Sequence, residues 1–172
     1  GLQSSALSLR SAETGSGSRD DRLPRDHRHL AGILADEVFA TQAADVRNFL
    51  IRTSVLNQLT APLCQALFAD DMPGVTTPPD SQAVLQQLAR ENVFIETLDA
   101  DQRWYRYHNL FRLALLRRLK QTCRLAEINM LHRRASIWHW NYGSADEALR
   151  HALAAQDAAL AADIVEANLH EL

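Results

Sequence analysis

The 172-residue sequence predicts a mainly α-helical chain interrupted by one β-hairpin and closing in antiparallel helical hairpins. Three observations predict it. Apolar residues recur at helical spacing in segments bounded by capping and turn residues. One stretch, Asn92–Arg112, instead carries β-branched and aromatic residues on both sides of the acidic turn Asp99-Ala100-Asp101. After Gln121 the pattern is helical throughout, broken only by short turns such as that at Gly143. Hydrophobic residues make up 47% and charged residues 23%, which places the chain among globular proteins able to bury a core. No apolar run approaches a membrane span. The first residues, GLQSSALSLRSAE, lack the basic and apolar regions of a signal peptide. The chain opens on Gly1 rather than Met and is read as a fragment. Cys64 and Cys123 stand far apart without a CxxC pattern, which argues against zinc or a disulfide framework and for a reducing cytoplasm.

In chain order, Leu2, Ala6 and Leu9 within residues 1–10 resemble the end of a helix whose partners lie upstream. Residues 11–28, with Gly15, Gly17, Pro24, several serines and a dense charge run, form a linker. Leu30, Ile33, Leu34 and Val38 make one apolar helical stripe. Asp45 is an expected N-cap for a helix carrying Val46, Phe49 and Leu50, and Val55 and Leu56 lead into a turn. Thr60 caps a short helix that tolerates Pro62 in its first turn. Asp70–Pro79, with three prolines and a glycine, is a loop. Asp80 or Ser81 caps the next helix, with Val84, Leu85 and Leu88 inward. Val93–Leu98 and Arg103–Tyr107 are the two strands. Three helices followed by a two-stranded ribbon is the winged-helix order, assigned to residues 29–120. A helix over Asn109–Lys120 follows, with Leu110, Leu113, Leu116 and Leu119 facing inward. In residues 121–172, Ile128, Leu131, Ala135, Trp138 and Tyr142 form one stripe; Ala145, Ala148, Leu149, Ala152 and Leu153 the next; Leu160, Ala161, Ile164, Val165, Asn168 and Leu169 a third. Alanines at contact positions let helices approach closely, as in tetratricopeptide-like repeats, and this array is expected to continue past Leu172.

Charge is distributed unevenly. Between Arg103 and Arg134 nine Arg or Lys face one acid, Glu127, whereas from Asn141 to Leu172 six acids face Arg150. Either the two halves attract each other within the fold, or the basic centre is a face for phosphates or nucleic acid. The helix that a winged helix would insert into a major groove, Asp80–Glu91, carries Gln82, Gln86, Gln87 and only Arg90 as a cation, and the wing turn is acidic. DNA affinity rests on phosphate neutralisation, so direct DNA binding by this module is not expected. Catalysis is not expected either: no phosphate-binding GxxxxGK[ST] loop, GxGxxG, GxSxG or HExxH occurs. His27 and His29 lack a third ligand at useful spacing. His132 and His139, seven residues apart on one helix, are separated by about 10 Å of helix rise, too far for one metal. His139, between two tryptophans, is expected to be a packed helical residue.

Five ordered blocks carry a resemblance: FLIRTSVLNQLTAPLCQAL (49–67), LARENVFIETLD (88–99), RWYRYHNLFRLALLRRL (103–119), LHRRASIWHWNYG (131–143) and EALRHALAAQDAALAADIVE (147–166). Together they resemble the large ATP-dependent LuxR-type transcription regulators of bacteria, the family of the maltose-regulon activator, within the wider class of signal-transduction ATPases with numerous domains. The resemblance covers about Leu30–Leu172, and GLQSSALSLR is similar to the end of the ATPase lid. It implies a parent protein with an ATPase that binds ATP or ADP, then a winged helix, a helical sensor and a DNA-binding helix-turn-helix. This chain would match the second part and the start of the third, with no cofactor of its own. In that class a winged-helix histidine contacts the ADP phosphate; the matching residue is His108, with Arg106 and Arg112 beside it. The alternative for His108 is a helix N-cap or a core histidine. Asn109 stands where many members have a second histidine. Trp104, Tyr105, Tyr107 and Phe111 are expected to pack on a neighbouring domain.

The expectation is a regulatory fragment. Its partners would be the upstream ATPase and the downstream sensor of the same protein, with self-association on activation and no membrane. The alternatives are a stand-alone winged-helix DNA-binding protein with a helical dimerisation tail, and a scaffold that pairs through its unfinished helical end.

Overall fold

The computed structural model describes residues 25–68 and 80–169. The expected lid-helix end at 1–10, the linker up to residue 24 and the Asp70–Pro79 loop lie outside the described residues. The elements are α1 Arg25–Thr41, α2 Ala44–Thr53, α3 Ala61–Ala66, α4 Ser81–Arg90, β1 Ile95–Thr97, β2 Tyr105–Tyr107, α5 Asn109–Thr122, α6 Leu125–Tyr142, α7 Ala145–Ala154 and α8 Ala158–Leu169. This is a winged helix followed by further helices, as the sequence predicts. No described helix is long and apolar enough to cross a membrane.

Helix α1 starts at Arg25, inside the expected linker, and its apolar stripe is divided. Ala35 and Phe39 are buried, whereas Leu30, Ile33 and Leu34 are 56%, 44% and 52% exposed. The helix docks on α5 along the Ala35–Phe39 edge, where the Arg118 guanidinium lies 4.4 Å from the Phe39 ring centroid and bonds Asp36 at 2.9 Å. Helix α2 takes Ala43 as its N-cap residue; Asp45 sits within the first turn and accepts from the Val46 N–H. Thr60 is the N-cap residue of α3, with extended backbone and no side-chain capping bond. Asp80, the true cap of α4, accepts from the N–H groups of Gln82 and Ala83, and Val84, Leu85 and Leu88 face the core.

Both strands are shorter than expected, for local reasons. Asn92 and Phe94 take left-handed backbone (φ 51° and 47°), which breaks the extended run before Ile95. Stacking of Phe94 on Phe111, with centroids 5.3 Å apart, offsets that strain. On the return side the Asp99 carboxylate accepts from the N–H groups of Arg103 and Trp104, both at 2.9 Å, so these residues belong to the turn. The antiparallel register pairs Ile95 with Tyr107, Glu96 with Arg106 and Thr97 with Tyr105. Leu59 adds a third lane, exchanging both backbone hydrogen bonds with Tyr105 at 2.8 Å.

Helix α5 buries Phe111, Leu115 and Leu119; of the expected series Leu119 is buried and Leu116 packs partly buried against the core, but Leu113 is exposed. Leucines occur nearly all round this helix, so spacing alone does not select the buried edge. Helix α6 is buried along two edges. Leu131 and Ala135 join the core that Phe49, Leu63, Leu85, Tyr105 and Phe111 also build, while Ser136 and His139 face α7. Tyr142, placed on the inward stripe by spacing, is exposed. Ala148, Ala152, Leu160, Ala161 and Ile164 form a second, smaller core between α7 and α8. Gly143 is required by close approach: a Cβ there would meet His139 Nδ1 at 2.6 Å and the His139 carbonyl oxygen at 3.3 Å.

One buried bond ties the wing to α2: the hydroxyls of Thr53 and Tyr107 lie 2.8 Å apart. Thr53 Oγ1 also donates to the Phe49 carbonyl. Tyr107→Phe is therefore expected to lower unfolding free energy by only ~1 kcal/mol, read as a shift in the urea midpoint with unchanged slope. An unchanged midpoint would show that this bond contributes nothing net.

Candidate functional site

The alternation of β2 decides the wing. Tyr105 and Tyr107 point into the core and Arg106 points out, as the side-chain period of two demands. Tyr105, Tyr107 and Phe111, expected to pack on another domain, are instead at most 2% exposed within the fold's own core. Trp104 alone of the four keeps a partly exposed ring. Of the three expected phosphate contacts, the structure separates one from the others. Arg112 is half-buried and its Nε–H donates to the carbonyls of Ser54 and Leu56, both at 3.0 Å, clasping the turn after α2. Its guanidinium already fills a structural role. Arg106 is exposed and pairs across the ribbon with Glu96. His108 is the N-cap residue of α5, without a side-chain capping bond. Its backbone N–H donates to Phe94 O at 2.8 Å and its ring stands edge-on to Phe94, while the residue remains exposed. Arg106 and His108, two residues apart, share the outward face of the wing.

The basic centre is largely absorbed by the fold. Arg106, Arg118 and Arg133 pair with Glu96, Asp36 and Asp157. Arg112 and Arg134 donate to backbone carbonyls. Of these pairs only Arg133–Asp157 joins the basic centre to the acidic end.

A second constellation emerges where α6 meets α7. His132, His139 and His151 come together there with Glu147 and Arg150. His132 Nδ1 lies 2.9 Å from His151 Nδ1, and the His139 and His151 rings stack with centroids 5.7 Å apart. Arg150 Nη2 donates to Glu147 Oε2 at 2.6 Å and lies 2.8 Å from His151 Nε2. A guanidinium only donates, so His151 Nε2 accepts. The His151 proton then sits on Nδ1 and is donated to His132 Nδ1. His139 Nδ1 is buried without a hydrogen-bond partner. A cavity of about 410 Å³ opens beside this group, lined by Asn57, Gln58, Trp104, His139, Gly143, Ser144 and Glu147. It lies between the wing and the α6–α7 pair. Helical spacing does place Glu147 and His151 on one face, but no spacing rule reports that α6 delivers His139 beside them.

Burial, with the charge of Arg150 and Arg112, pushes His132 down to about 4. His151 falls to about 2 through burial, Arg150 and its two histidine neighbours, with Arg112 adding to the effect. Burial also lowers His139, against the opposing pull of Glu147 and with the help of Arg150. Burial acts to raise the Glu147 carboxyl, but the Arg150 hydrogen bond and charge, with His139 and Asn57, outweigh it and hold the group below its ordinary value. The histidines are therefore neutral in the folded chain at pH 7. Below the unfolded value of about 6.5 the unfolded chain binds more protons than the folded one, so stability falls as pH drops. Between pH 7 and 5 the melting temperature is expected to fall by several degrees, on the scale of ~1 kcal/mol or more. His132→Gln should flatten the profile; an equally steep one in that variant would remove His132 as a cause.

Comparison with known proteins follows the same division. Residues 35–127, more than half of the chain, match the model of the MalT winged helix domain. The chain is 35% identical to the Serine/threonine-protein kinase PknK of Mycobacterium tuberculosis (strain ATCC 25618 / H37Rv), over 96% of this chain and 14% of that protein. It is 33% identical to the HTH-type transcriptional regulator MalT of Klebsiella pneumoniae (strain 342), over 95% of this chain and 17% of that protein. The MalT of Serratia proteamaculans (strain 568) gives 33% identity with the same two shares, 95% and 17%. The chain thus spans between 14% and 17% of the length of these curated relatives. On the winged-helix match and the relatives aligned across nearly all of its length, the chain belongs to the MalT winged helix domain family.

Proposed function

We propose that this chain is the relay segment of a larger, cytoplasmic, ATP-dependent transcription regulator. It would connect the nucleotide state of an upstream ATPase to a helical sensor and a downstream DNA-binding domain. The observation that carries the reading is His108. Its imidazole stands exposed at the wing–α5 junction with no hydrogen bond among the described residues, whereas Arg112 is committed to backbone carbonyls. An imidazole there is free to donate to a phosphate oxygen held by the ATPase. Arg106 shares its face and is held only by an exposed pair with Glu96, which is weak enough to exchange.

Two exposed apolar faces support a position between domains. Leu30, Ile33 and Leu34 on α1 offer a surface to the domain before it. Leu153, Val165 and Leu169 on α7 and α8 offer one where tetratricopeptide-like hairpins would continue the array. Cys64 and Cys123 are both free thiols, in keeping with a reducing compartment. Similarity to proteins named as a kinase and as transcription regulators supports a relay that serves different outputs, rather than a module that reads DNA itself. No catalytic step is assigned to this chain. In the proposed switch ADP keeps the ATPase–winged-helix interface closed, and ATP with inducer releases it for self-association and promoter binding.

In the full-length protein, His108→Ala is expected to weaken ADP retention and raise basal transcription. Its unfolding free energy should stay within the small range of a surface substitution, roughly 0.5 kcal/mol, because the ring caps nothing. Unchanged ADP affinity together with unchanged basal transcription would sink the assignment. Sub-micromolar DNA binding by the 172-residue chain, with a steep salt dependence, would favour a DNA-reading module instead.

A further inference from the structure

We propose that His139, Glu147 and His151 form a binding site for a divalent transition-metal ion, with Zn²⁺ the best match, beside the cavity between the wing and the α6–α7 pair. One donor atom from each residue lies within 4.8 Å of the others. Two histidines and one carboxylate are a recognised zinc donor set, which leaves a fourth position for water or a ligand. Here that position has somewhere to open: the cavity of about 410 Å³ is lined by two of the three donors, His139 and Glu147.

The donors are prepared for coordination in three independent ways. Glu147 and His151 lie four residues apart on α7, so one helical face presents both. His132 accepts the His151 Nδ1 proton, which fixes the tautomer that leaves a lone pair on His151 Nε2, now used to accept from Arg150 and 4.0 Å from the Glu147 carboxylate. An outer-shell partner of this kind is what orients metal-binding histidines. His139 brings a buried Nδ1 with no partner, and the absence of a side chain at Gly143 keeps the space against that nitrogen clear.

The same two α7 donors already hold a cation. The Arg150 guanidinium bridges Glu147 Oε2 and His151 Nε2 at 2.6 and 2.8 Å. Its side chain is 37% exposed, so it has a route to solvent. Metal and guanidinium therefore compete for one place. With zinc at about 2.0–2.2 Å from each ligand, donor atoms must close to about 3.3 Å from one another, a change within the reach of side-chain rotation. Loading would tie α6 to α7 beside Trp104 and Asn57, stiffening the junction through which the winged helix meets the helical array.

The test is a Zn²⁺ titration of the 172-residue chain by competition with a chromogenic chelator, with Co²⁺ as a spectroscopic stand-in. The expected result is one metal per chain and an intense visible Co²⁺ spectrum of low coordination number. Glu147→Gln, with folding checked by circular dichroism, should weaken binding at least tenfold. Arg150→Gln, which removes the competing guanidinium, should tighten it by about tenfold. The proposal is overturned by the absence of saturable binding up to ~100 μM metal, by affinity unchanged in Glu147→Gln, or by weaker binding in Arg150→Gln.

Discussion

Helix α6 carries two adjacent stripes, and each is buried in a different place. Leu131 and Ala135 close the winged-helix core against α3, and Arg134 Nη1 donates to the Leu67 carbonyl from the same side. One edge further round, Ser136 donates to the Ala148 carbonyl and His139 stacks on His151. A helix held on both sides transmits displacement rather than absorbing it, because close-packed interfaces deform little before they switch. The position of α7 and α8 relative to the wing therefore depends on this one helix. The cavity lined by Trp104, Asn57, His139 and Glu147 is where the two parts face each other without filling the space between.

The polar content of that junction is unusual for a helix-packing face. Buried imidazoles are tolerated when each proton has an acceptor, and here a single chain of donors runs from Arg150 through His151 to His132. Neutral rings avoid the desolvation penalty that charged ones would carry, and Arg150 on Glu147 supplies the one ionic pair at the half-exposed edge. His139 Nδ1 is the exception in this network, left without a partner.

The wing shows the opposite economy. Its tyrosines are drawn inward by strand alternation and by the third lane at Leu59, leaving Arg106 and His108 as the outward chemistry. Of the basic residues of the centre, Arg106, Arg118 and Arg133 pair with Glu96, Asp36 and Asp157, and Arg112 and Arg134 donate to backbone carbonyls.

Local chemistry by itself determined the element order. Helical spacing, the Asp80 cap, the Asp99 turn and the Gly143 break are all short-range signals, and each is found in place. Tertiary structure decided which edge of each helix is buried. In α5, with leucines almost all round, packing against α1 and α2 selected Phe111, Leu115 and Leu119. In α1, docking on α5 turned Leu30, Ile33 and Leu34 outward. The candidate sites divide in the same way. His108, singled out by the family resemblance, sits at the strand–helix junction where the sequence places it, whereas the role of Arg112 depends on carbonyls more than fifty residues earlier. The His139–Glu147–His151 cluster lay beyond sequence reading because its donors come from two helices. Periodicity orders residues within one helix, but only packing fixes the rotation of one helix against the next.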